Sequence, residues 1–349
     1  MPINYEVINP NTDVATTKTL LHEVIPLTGT IVSGTYGTFP DEGNIKNYSH
    51  GMFQSVYDYP YLSSSANHIF DLTVGFDESS SLSGTLGTRL QQGKKINMYN
   101  QFSQVLLGYT GSANRVRLFE SDLQLDESAA DVMREVVFVN FSRLLTKDEI
   151  KRGSVSITLG TASWAAPFAG RKTFTDSAAS NTGGTLSTVG GDYGILSSSA
   201  AGVGGVVFYQ AGVMVLTSSI WDGTTDFFSQ SLTSRTIGHQ LISGSISGSA
   251  DAFRHRLFNV QFNNTTEINS SVYFCRASHN KFNYSSNPTY LKESAIRVKN
   301  NNRDNPPVSY ITTIGLYNSQ NELLAVAKLS EPLRKDPTNE LTLRVRLDY

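Results

Sequence analysis

Most of this chain consists of short apolar runs, rich in β-branched and aromatic residues, that end after a few positions at turn-forming residues. Such runs predict β-strands, because side chains in a strand alternate between two faces and a pleated surface favours branched and aromatic residues. The clearest case is the final "LTLRVRLDY", in which Leu341, Leu343 and Val345 alternate with polar residues. We therefore expect a mainly β fold with sandwich- or barrel-like sheets, one or two short helices and minor α+β character.

Turn-forming residues divide the chain into strands at recognisable places. "TLLHEVIPLTGTIVSGTYGTFP" predicts two strands broken at Pro26 and at the glycines, and "GMFQSVYDYPYLSSSANHIFDLTVGF" predicts further strands. "RLFNVQFNNTTEINSSVYFCRA" is interpreted as two alternating strands around "NNTTEI". "VSYITTIGLYN" and "ELLAVAKLS", separated by "SQN", predict a hairpin.

Two stretches depart from this pattern and predict helices. In "LQQGKKINMYNQFSQVLLG" the large apolar residues fall at three- and four-residue spacings, at Ile96, Tyr99, Phe102, Val105 and Leu106. Gly108 fits a C-cap of that helix. In "TKDEIKRG", which follows the strand-like "REVVFVNFSRLL", Thr146 and Glu149 fit a capping box and Gly153 fits a stop. The second helix is therefore expected to be short.

Composition divides the sequence into an N-terminal β region at 1–90, a mixed helix and strand segment at 91–160, a Gly/Ser-rich excursion at 161–250 and a C-terminal β domain at 251–349. The third region includes a core strand near 206–217. Residues 161–205 carry little charge and few large apolar side chains, so they cannot offset their ordering entropy by themselves. We expect them to form a long exposed excursion or to be ordered by contact with another chain.

Charged residues make up 17% of the sequence, where roughly a quarter is usual in soluble proteins. The formal net charge of −2 gives no electrostatic reason to favour nucleic acid or an anionic membrane surface. No window approaches the ~20 apolar residues that cross a bilayer, and "MPINYEVINPNTD" lacks the basic and apolar regions of a secretory signal. We expect a soluble chain made in a cytoplasm, with no nucleic-acid partner and no membrane insertion.

Cysteine and histidine do not combine into a catalytic or metal-binding pattern. The single cysteine, Cys275, excludes an intrachain disulfide framework and a cysteine-based zinc site. His279 follows it at a spacing that, along a strand, separates the two side chains by roughly 13 Å, too far for proton transfer. His255 lies between Arg254 and Arg256, and flanking cations repel a metal ion. A buried thiol and a surface histidine are the interpretation we favour for Cys275 and His279.

Acidic and glycine-rich stretches are equally uninformative about catalysis. Two acidic groups lack the oxygen-ligand spacing of a calcium loop and are interpreted as turn residues, namely Asp222 with Asp226, and Asp126 with Glu127 and Asp131. "GVGG" lacks the third glycine of a dinucleotide-binding loop, and "GSISG" has Ile246 where a hydrolase elbow needs serine. No carboxylate pair can be picked out for glycoside hydrolysis. We expect no enzymatic activity, no metal and no cofactor.

The stretch "FNYSSNPTYL" places three aromatic residues around a polar turn that contains a proline. A sugar could stack on Tyr284 or Tyr290 and bond to a neighbouring asparagine. We favour the alternative, a proline turn held by its own aromatic side chains, whose rings cover the next strand. The candidate residues for an assembly contact are Phe282, Tyr284, Asn287, Pro288, Tyr290, Tyr310 and Tyr317.

This turn, the following "DNPPVSYITTIGLYNSQNELLAVAKLSEPLRKD" and the basic alternating strand at the end resemble virion structural proteins of contractile-tailed bacteriophages. "VVFVNFSRLLTKDEIKRGSVSITLG" is similar to the same group. The resemblance implies a location in the tail or baseplate region of a virion. The resemblance lies in the overall sequence of these segments, and it implies no functional residues.

We therefore expect a structural component of a tailed-phage virion that works by subunit assembly and docking, as a homo-oligomer with other virion proteins as partners. Unpaired strand edges and charge-poor surfaces suit a subunit that its neighbours complete. One alternative is a receptor-binding adhesin or fibre-tip domain that recognises glycan on the host surface, for which sixteen tyrosines would supply stacking faces. A further alternative is a capsid or head decoration protein.

Overall fold

A computed structural model of the chain describes residues 5–28, 43–83, 90–110, 115–224, 226–228, 236–285, 287, 288, 290, 292, 302, 304 and 308–349. Contacts divide the chain into two compact units. Unit 1 is Met1–Leu20 with Glu267–Tyr349, and unit 2 is Leu21–Thr266. The boundaries of the four regions expected from composition stay a prediction.

Strands dominate both units. They are β1 (Val14–Thr28), β2 (Ile45–Asn47), β3 (Gln54–Tyr57), β4 (His68–Phe76), β5 (Phe119–Glu120), β6 (Val132–Met133), β7 (Glu135–Phe141), β8 (Glu149–Ile150), β9 (Ser156–Gly160), β10 (Arg171–Thr175), β11 (Thr185–Thr188), β12 (Gly191–Ser198), β13 (Gly202–Phe208), β14 (Val213–Thr217), β15 (Leu257–Ala277), β16 (Ser309–Tyr317), β17 (Leu323–Lys335) and β18 (Leu341–Asp348). The helices are α1 (Leu90–Leu106), α2 (Arg143–Thr146), α3 (Ile237–Ser243) and α4 (Ile246–Arg256). The predicted fold class, mainly β with few helices, is confirmed.

Unit 2 is organised around one large sheet with the strand order β1-β15-β9-β10-β12-β13-β14-β7-β4-β3-β2. The pairs from β9 to β2 are antiparallel. Strands β8 and β11 pair with β15 and β12, off this path. In unit 1, β18 pairs antiparallel with the second half of β15, and β16 pairs with β17 as a separate hairpin.

Apolar side chains cover both faces of the central strands. Along β7, Val137 and Val139 belong to one buried cluster, whereas Val136 and Phe138 belong to another. This double burial explains why "EVVFVNF" is a continuous apolar run and not an alternating one. Helix α1 packs on β4, where Gly75 leaves room for the helix backbone at Lys95 and Tyr99.

Residues 161–205 are part of the large sheet, contrary to the expectation of an exposed excursion or of ordering by another chain. They form β10, β11, β12 and the beginning of β13. A Cβ on Gly204 would lie 2.5 Å from the Phe174 ring, and one on Gly194 would lie 2.2 Å from the Tyr209 hydroxyl. Because glycines accept aromatic side chains from neighbouring strands, the segment acquires a core that its average composition does not reveal.

Several predicted strands have other boundaries in the structure. The core strand expected near 206–217 is two strands, β13 and β14, joined by a turn in which Gly212 has a φ of 68°. Strand β1 continues through Pro26, which is tolerated because β1 ends the strand order of unit 2 and a proline cannot donate to a partner there. The two strands expected around "NNTTEI" are one strand, β15. The predicted hairpin and final strand are confirmed as β16–β17 and β18.

The long predicted helix is confirmed as α1, but its buried side differs from the predicted one. Tyr99 and Leu106 are buried as expected, whereas Val105 is exposed and Lys95 is buried. The prediction of a helix in "TKDEIKRG" was wrong. The helix lies one turn earlier, because the Ser142 side chain accepts a hydrogen bond from Leu144 N at 3.3 Å and caps α2.

Candidate functional site

The aromatic turn of unit 1 is held largely by its own residues. The Tyr284 and Tyr290 rings meet edge to face with centroids 5.8 Å apart. The Tyr290 hydroxyl donates to the Asn283 carbonyl oxygen at 2.7 Å, and the Tyr290 backbone N–H donates to the Asn287 carbonyl oxygen at 2.9 Å. Asn287 and Pro288 are exposed. These contacts are those expected of a turn that its own residues hold in place. Its role in assembly stays a prediction.

The same turn is attached to the base of hairpin β16–β17. Lys335 is fully buried, and its Nζ donates to Asn283 Oδ1 at 2.7 Å and to the Asp336 carbonyl oxygen at 2.9 Å. Ser309 Oγ donates to the carbonyl oxygen of Phe282 at 2.9 Å. Phe282 has a φ of 56°, a left-handed conformation that a bulky residue adopts only where its surroundings require it. Turn and hairpin base therefore form one connected structure.

Beyond this base, the hairpin exposes apolar side chains on both of its strands. Tyr310 is 60% exposed, Leu324 is 68% exposed and Val326 is 53% exposed. Tyr317 and Leu323 are also exposed and lie over Gly315, where a Cβ would be 2.8 Å from the Tyr317 ring. Among the described residues, β16 pairs only with β17 and β17 only with β16. The structure thus places Tyr310 and Tyr317 on an open hairpin, and the other five candidates on or beside its supporting turn.

A second feature, in unit 2, was not predicted from the sequence. Asp71 Oδ1 accepts hydrogen bonds from Ser55 Oγ at 2.5 Å and from His68 Nε2 at 2.8 Å. Ser55 Oγ lies 3.3 Å from the Tyr48 hydroxyl. Burial, a hydrogen bond with Tyr48 and the charge of Asp71 raise the pKa of Tyr57. We call Tyr48, Ser55, Tyr57, His68 and Asp71 the polar cluster.

Strand pairing explains how the polar cluster forms. Ser55 of β3 is directly opposite Asp71 of β4, and Tyr57 is opposite His68 across a register shift. The alternation in "FQSVYD" places Phe53, Ser55 and Tyr57 on one face. That alternation was visible in the sequence, but the partner strand that supplies Asp71 and His68 was not.

The polar cluster does not have the order of a nucleophilic triad. Ser55 and His68 both contact the same oxygen of Asp71, so the carboxylate separates the hydroxyl from the imidazole. In a hydrolase the imidazole must contact the nucleophile and the carboxylate must hold the imidazole. The arrangement can instead bind hydroxyl or amide groups of a ligand.

The predicted pair Cys275 and His279 gains no chemistry from the structure. Burial and the nearby charge of Asp13 raise the pKa of the Cys275 thiol, which disfavours the reactive thiolate. Over the described ranges, no three side chains of His, Cys, Asp or Glu are grouped so that they could hold a metal ion. Asp126, Glu127 and Asp131 lie in the turn between β5 and β6.

Strand β5, which precedes the acidic turn, ends in one strongly perturbed carboxyl group. Glu120 is 2% exposed, and its Oε1 accepts the Glu127 backbone N–H at 3.0 Å. Its Oε2 is buried, and no described residue donates a hydrogen bond to it. Burial, with smaller contributions from Asp122 and Asp126, raises the pKa of Glu120 to about 7.

We expect Glu120 to make the free energy of unfolding decrease as the pH rises from about 4.5 to about 7. Within this interval the folded protein keeps a proton on Glu120 that the unfolded chain has released, so folding becomes less favourable with increasing pH. Glu120→Gln should remove this component and melt at a higher temperature than the wild type above about pH 7. Thermal melts of both proteins across the interval measure it. A constant difference between their melting temperatures would contradict the assignment.

None of the helices described here is both long and apolar enough to cross a membrane. Comparisons with known proteins gave no family model, no curated protein and no solved structure that matches this chain. The comparisons therefore assign no function to this chain.

Proposed function

We propose that this chain is a structural subunit of a tailed-phage virion, in the tail or baseplate region, and that it joins neighbouring subunits through hairpin β16–β17. The observation that supports this function is the exposure of Tyr310, Leu324 and Val326 on a hairpin whose outer edges pair with no other described strand. The polypeptide works by fitting against other copies of itself and against other virion proteins.

The physical reason is that a two-stranded hairpin is marginally stable in water without a further strand or a covering layer. Hairpin β16–β17 has its base held by Ser309 and Lys335, yet neither of its strands pairs with a further strand among the described residues. The Tyr5 ring packs against Tyr317 with centroids 5.0 Å apart, whereas Leu324 and Val326 stay exposed. A neighbouring subunit can supply the missing strand through backbone hydrogen bonds and cover the apolar side chains. The same open edges would promote aggregation if they had no partner.

The choice of a virion is supported by the sequence resemblance to structural proteins of contractile-tailed phages. The similar sequence in the C-terminal third includes both strands of the hairpin and the turn at its base. One of the segments that carry the resemblance therefore includes the strands that expose Tyr310, Leu324 and Val326.

The double variant Leu324→Glu/Val326→Glu should weaken self-association by about 30-fold for each residue that acts as a hot spot. A charge at either position would have to be buried without a partner in the interface. Sedimentation velocity over a concentration series measures the effect. Val105→Glu is the matched control, because Val105 is 67% exposed on helix α1. If the wild type does not associate, or the double variant and the control associate equally, the hairpin is not the interface.

Location is tested separately on purified particles. An antibody against the hairpin turn Asn318–Glu322, with particles disrupted stepwise to reveal internal surfaces, should label the tail or baseplate. Labelling of the head would favour the decoration-protein alternative, and absence from intact and disrupted particles would refute a virion role. Retention of the isolated chain on host cells would favour the adhesin alternative.

A further inference from the structure

The polar cluster has the convergent hydrogen-bonding groups of a ligand site. Three hydroxyls, one carboxylate and one imidazole meet on the face of β3 and β4. Asp71 is 25% exposed on its side chain, and no described residue donates to its Oδ2. A partly exposed acceptor is thus fixed in place by Ser55 and His68, and it can accept hydrogen bonds from a ligand.

Two groups of aromatic rings belong to the surroundings of this acceptor. In the first group the Tyr57 ring lies 5.6 Å from His68 and 6.3 Å from Tyr61, which is 37% exposed. In the second group the Tyr48 ring stacks on His50 at 5.1 Å and meets Phe53 at 4.8 Å. Half-exposed rings beside a fixed carboxylate provide a flat apolar face and a directional acceptor together.

The charges of the cluster narrow the class of ligand. The nearby cation Lys46 lies over the Tyr48 ring at 4.8 Å, and Lys94 Nζ donates to the His50 carbonyl oxygen at 2.7 Å. Both lysines are thus engaged by the protein, which disfavours a phosphate or another strong anion. Asp71 is a single carboxylate, too few for a hard metal ion that takes six or more oxygen ligands. A neutral ligand with several hydroxyls and one apolar face fits best.

We propose that the polar cluster is a binding site for a neutral saccharide, in which a pyranose ring stacks on Tyr61 and Tyr57 and donates hydroxyl hydrogen bonds to Asp71. The Tyr48 and Tyr57 hydroxyls can donate to or accept from further sugar hydroxyls. The site lies in unit 2 and uses no residue of the hairpin, so it does not depend on the assembly function.

Saturation-transfer NMR and titration with methyl glycosides of glucose, galactose, mannose and N-acetylglucosamine test the site on the full chain. At least one of them should bind saturably, with affinity reduced about tenfold or more by Tyr61→Ala and by Asp71→Asn. Tyr61→Ala removes an exposed ring, whereas Asp71→Asn keeps an acceptor for Ser55 and removes the charge. Tyr310→Ala, which removes an exposed tyrosine of the hairpin, should bind as the wild type does.

Two results would overturn the proposal. One is the absence of saturable binding for all four glycosides, and the other is binding that neither Tyr61→Ala nor Asp71→Asn weakens. The Leu324→Glu/Val326→Glu variant separates the two proposals, because it should lose self-association and keep saccharide binding. Conversely, the Tyr61→Ala protein should lose saccharide binding and keep its self-association.

Discussion

Replacing Asp176 with alanine is expected to lower the free energy of unfolding by about 4 kcal/mol. The Asp176 side chain is fully buried and accepts the backbone N–H groups of Gly153 at 2.7 Å and Val155 at 2.8 Å. It also accepts the Tyr209 hydroxyl at 3.0 Å. Alanine would leave two buried donors, the Val155 N–H and the Tyr209 hydroxyl, without an acceptor, and each unsatisfied buried donor costs about 1–3 kcal/mol.

Urea unfolding followed by tryptophan fluorescence measures this loss, with two variants for comparison. Asp176→Asn keeps one acceptor oxygen and should lose less than the alanine variant. Asp222→Ala changes an exposed aspartate and should stay within about 0.5 kcal/mol of the wild type. A similar stability for Asp176→Ala and Asp222→Ala would show that the two buried donors find other partners.

The position of Asp176 also shows what the sequence could not reveal. It precedes the stretch "SAASNTGG", which has the composition of an exposed turn. Its partners lie more than twenty residues before it and more than thirty after it. Only the pairing of β9, β10, β12 and β13 brings them together, and such non-local contacts leave no mark in local composition.

Elements whose signal is local were predicted well. The hairpin β16–β17, the final strand β18 and helix α1 each follow from periodicity and turn residues within one segment. The burial of Lys95 was not predicted, because a lysine is expected on the surface of a helix. Its Nζ donates to the carbonyl oxygens of Gly244 at 2.7 Å and Gln240 at 3.4 Å, at the end of α3. A cation beside the last carbonyl oxygens of a helix interacts favourably with the negative end of the helix dipole, which explains its burial.

The two candidate sites also differ in whether local sequence could predict them. The exposed tyrosines of the hairpin belong to a β-rich run beside the turn residues "SQN", so Tyr310 and Tyr317 could be proposed from the sequence. The polar cluster combines residues of two strands through the register Ser55 to Asp71. Register depends on the whole sheet and cannot be assigned from "FQSVYD" or "HIFDL" alone.

Arg256 is the second position at which a single substitution should have a large effect on the free energy of unfolding. Arg256 is fully buried at the end of α4. Its guanidinium donates to the carbonyl oxygens of Ala162 at 2.6 Å and Asp226 at 3.1 Å, with longer contacts to Phe227 and Gly160. The planar group thus connects two loops that have no strand pairing with each other among the described residues.

We expect Arg256→Met to lower the free energy of unfolding by about 3–5 kcal/mol, since the apolar chain fills the space but removes the donor from the carbonyl oxygens of Ala162, Asp226 and Phe227. Arg256→Lys should recover part of the loss, because an ammonium can reach some of these oxygens but lacks the planar fork. Arg344→Met, on the exposed side of β18, is the matched control and should change stability by less than about 0.5 kcal/mol.

Trp221 reports on this region directly, because its Nε1–H donates to the Gly160 carbonyl oxygen at 3.0 Å, and that oxygen also faces Arg256. In Arg256→Met, fluorescence should therefore show Trp221 becoming more solvated at lower urea concentrations than in the wild type. Unfolding at the wild-type urea concentration would mean that the two loops hold their positions without the guanidinium. Because burial already lowers the pKa of Arg256 to about 10, a stable methionine variant would then indicate that desolvation of the cation costs as much as its hydrogen bonds return.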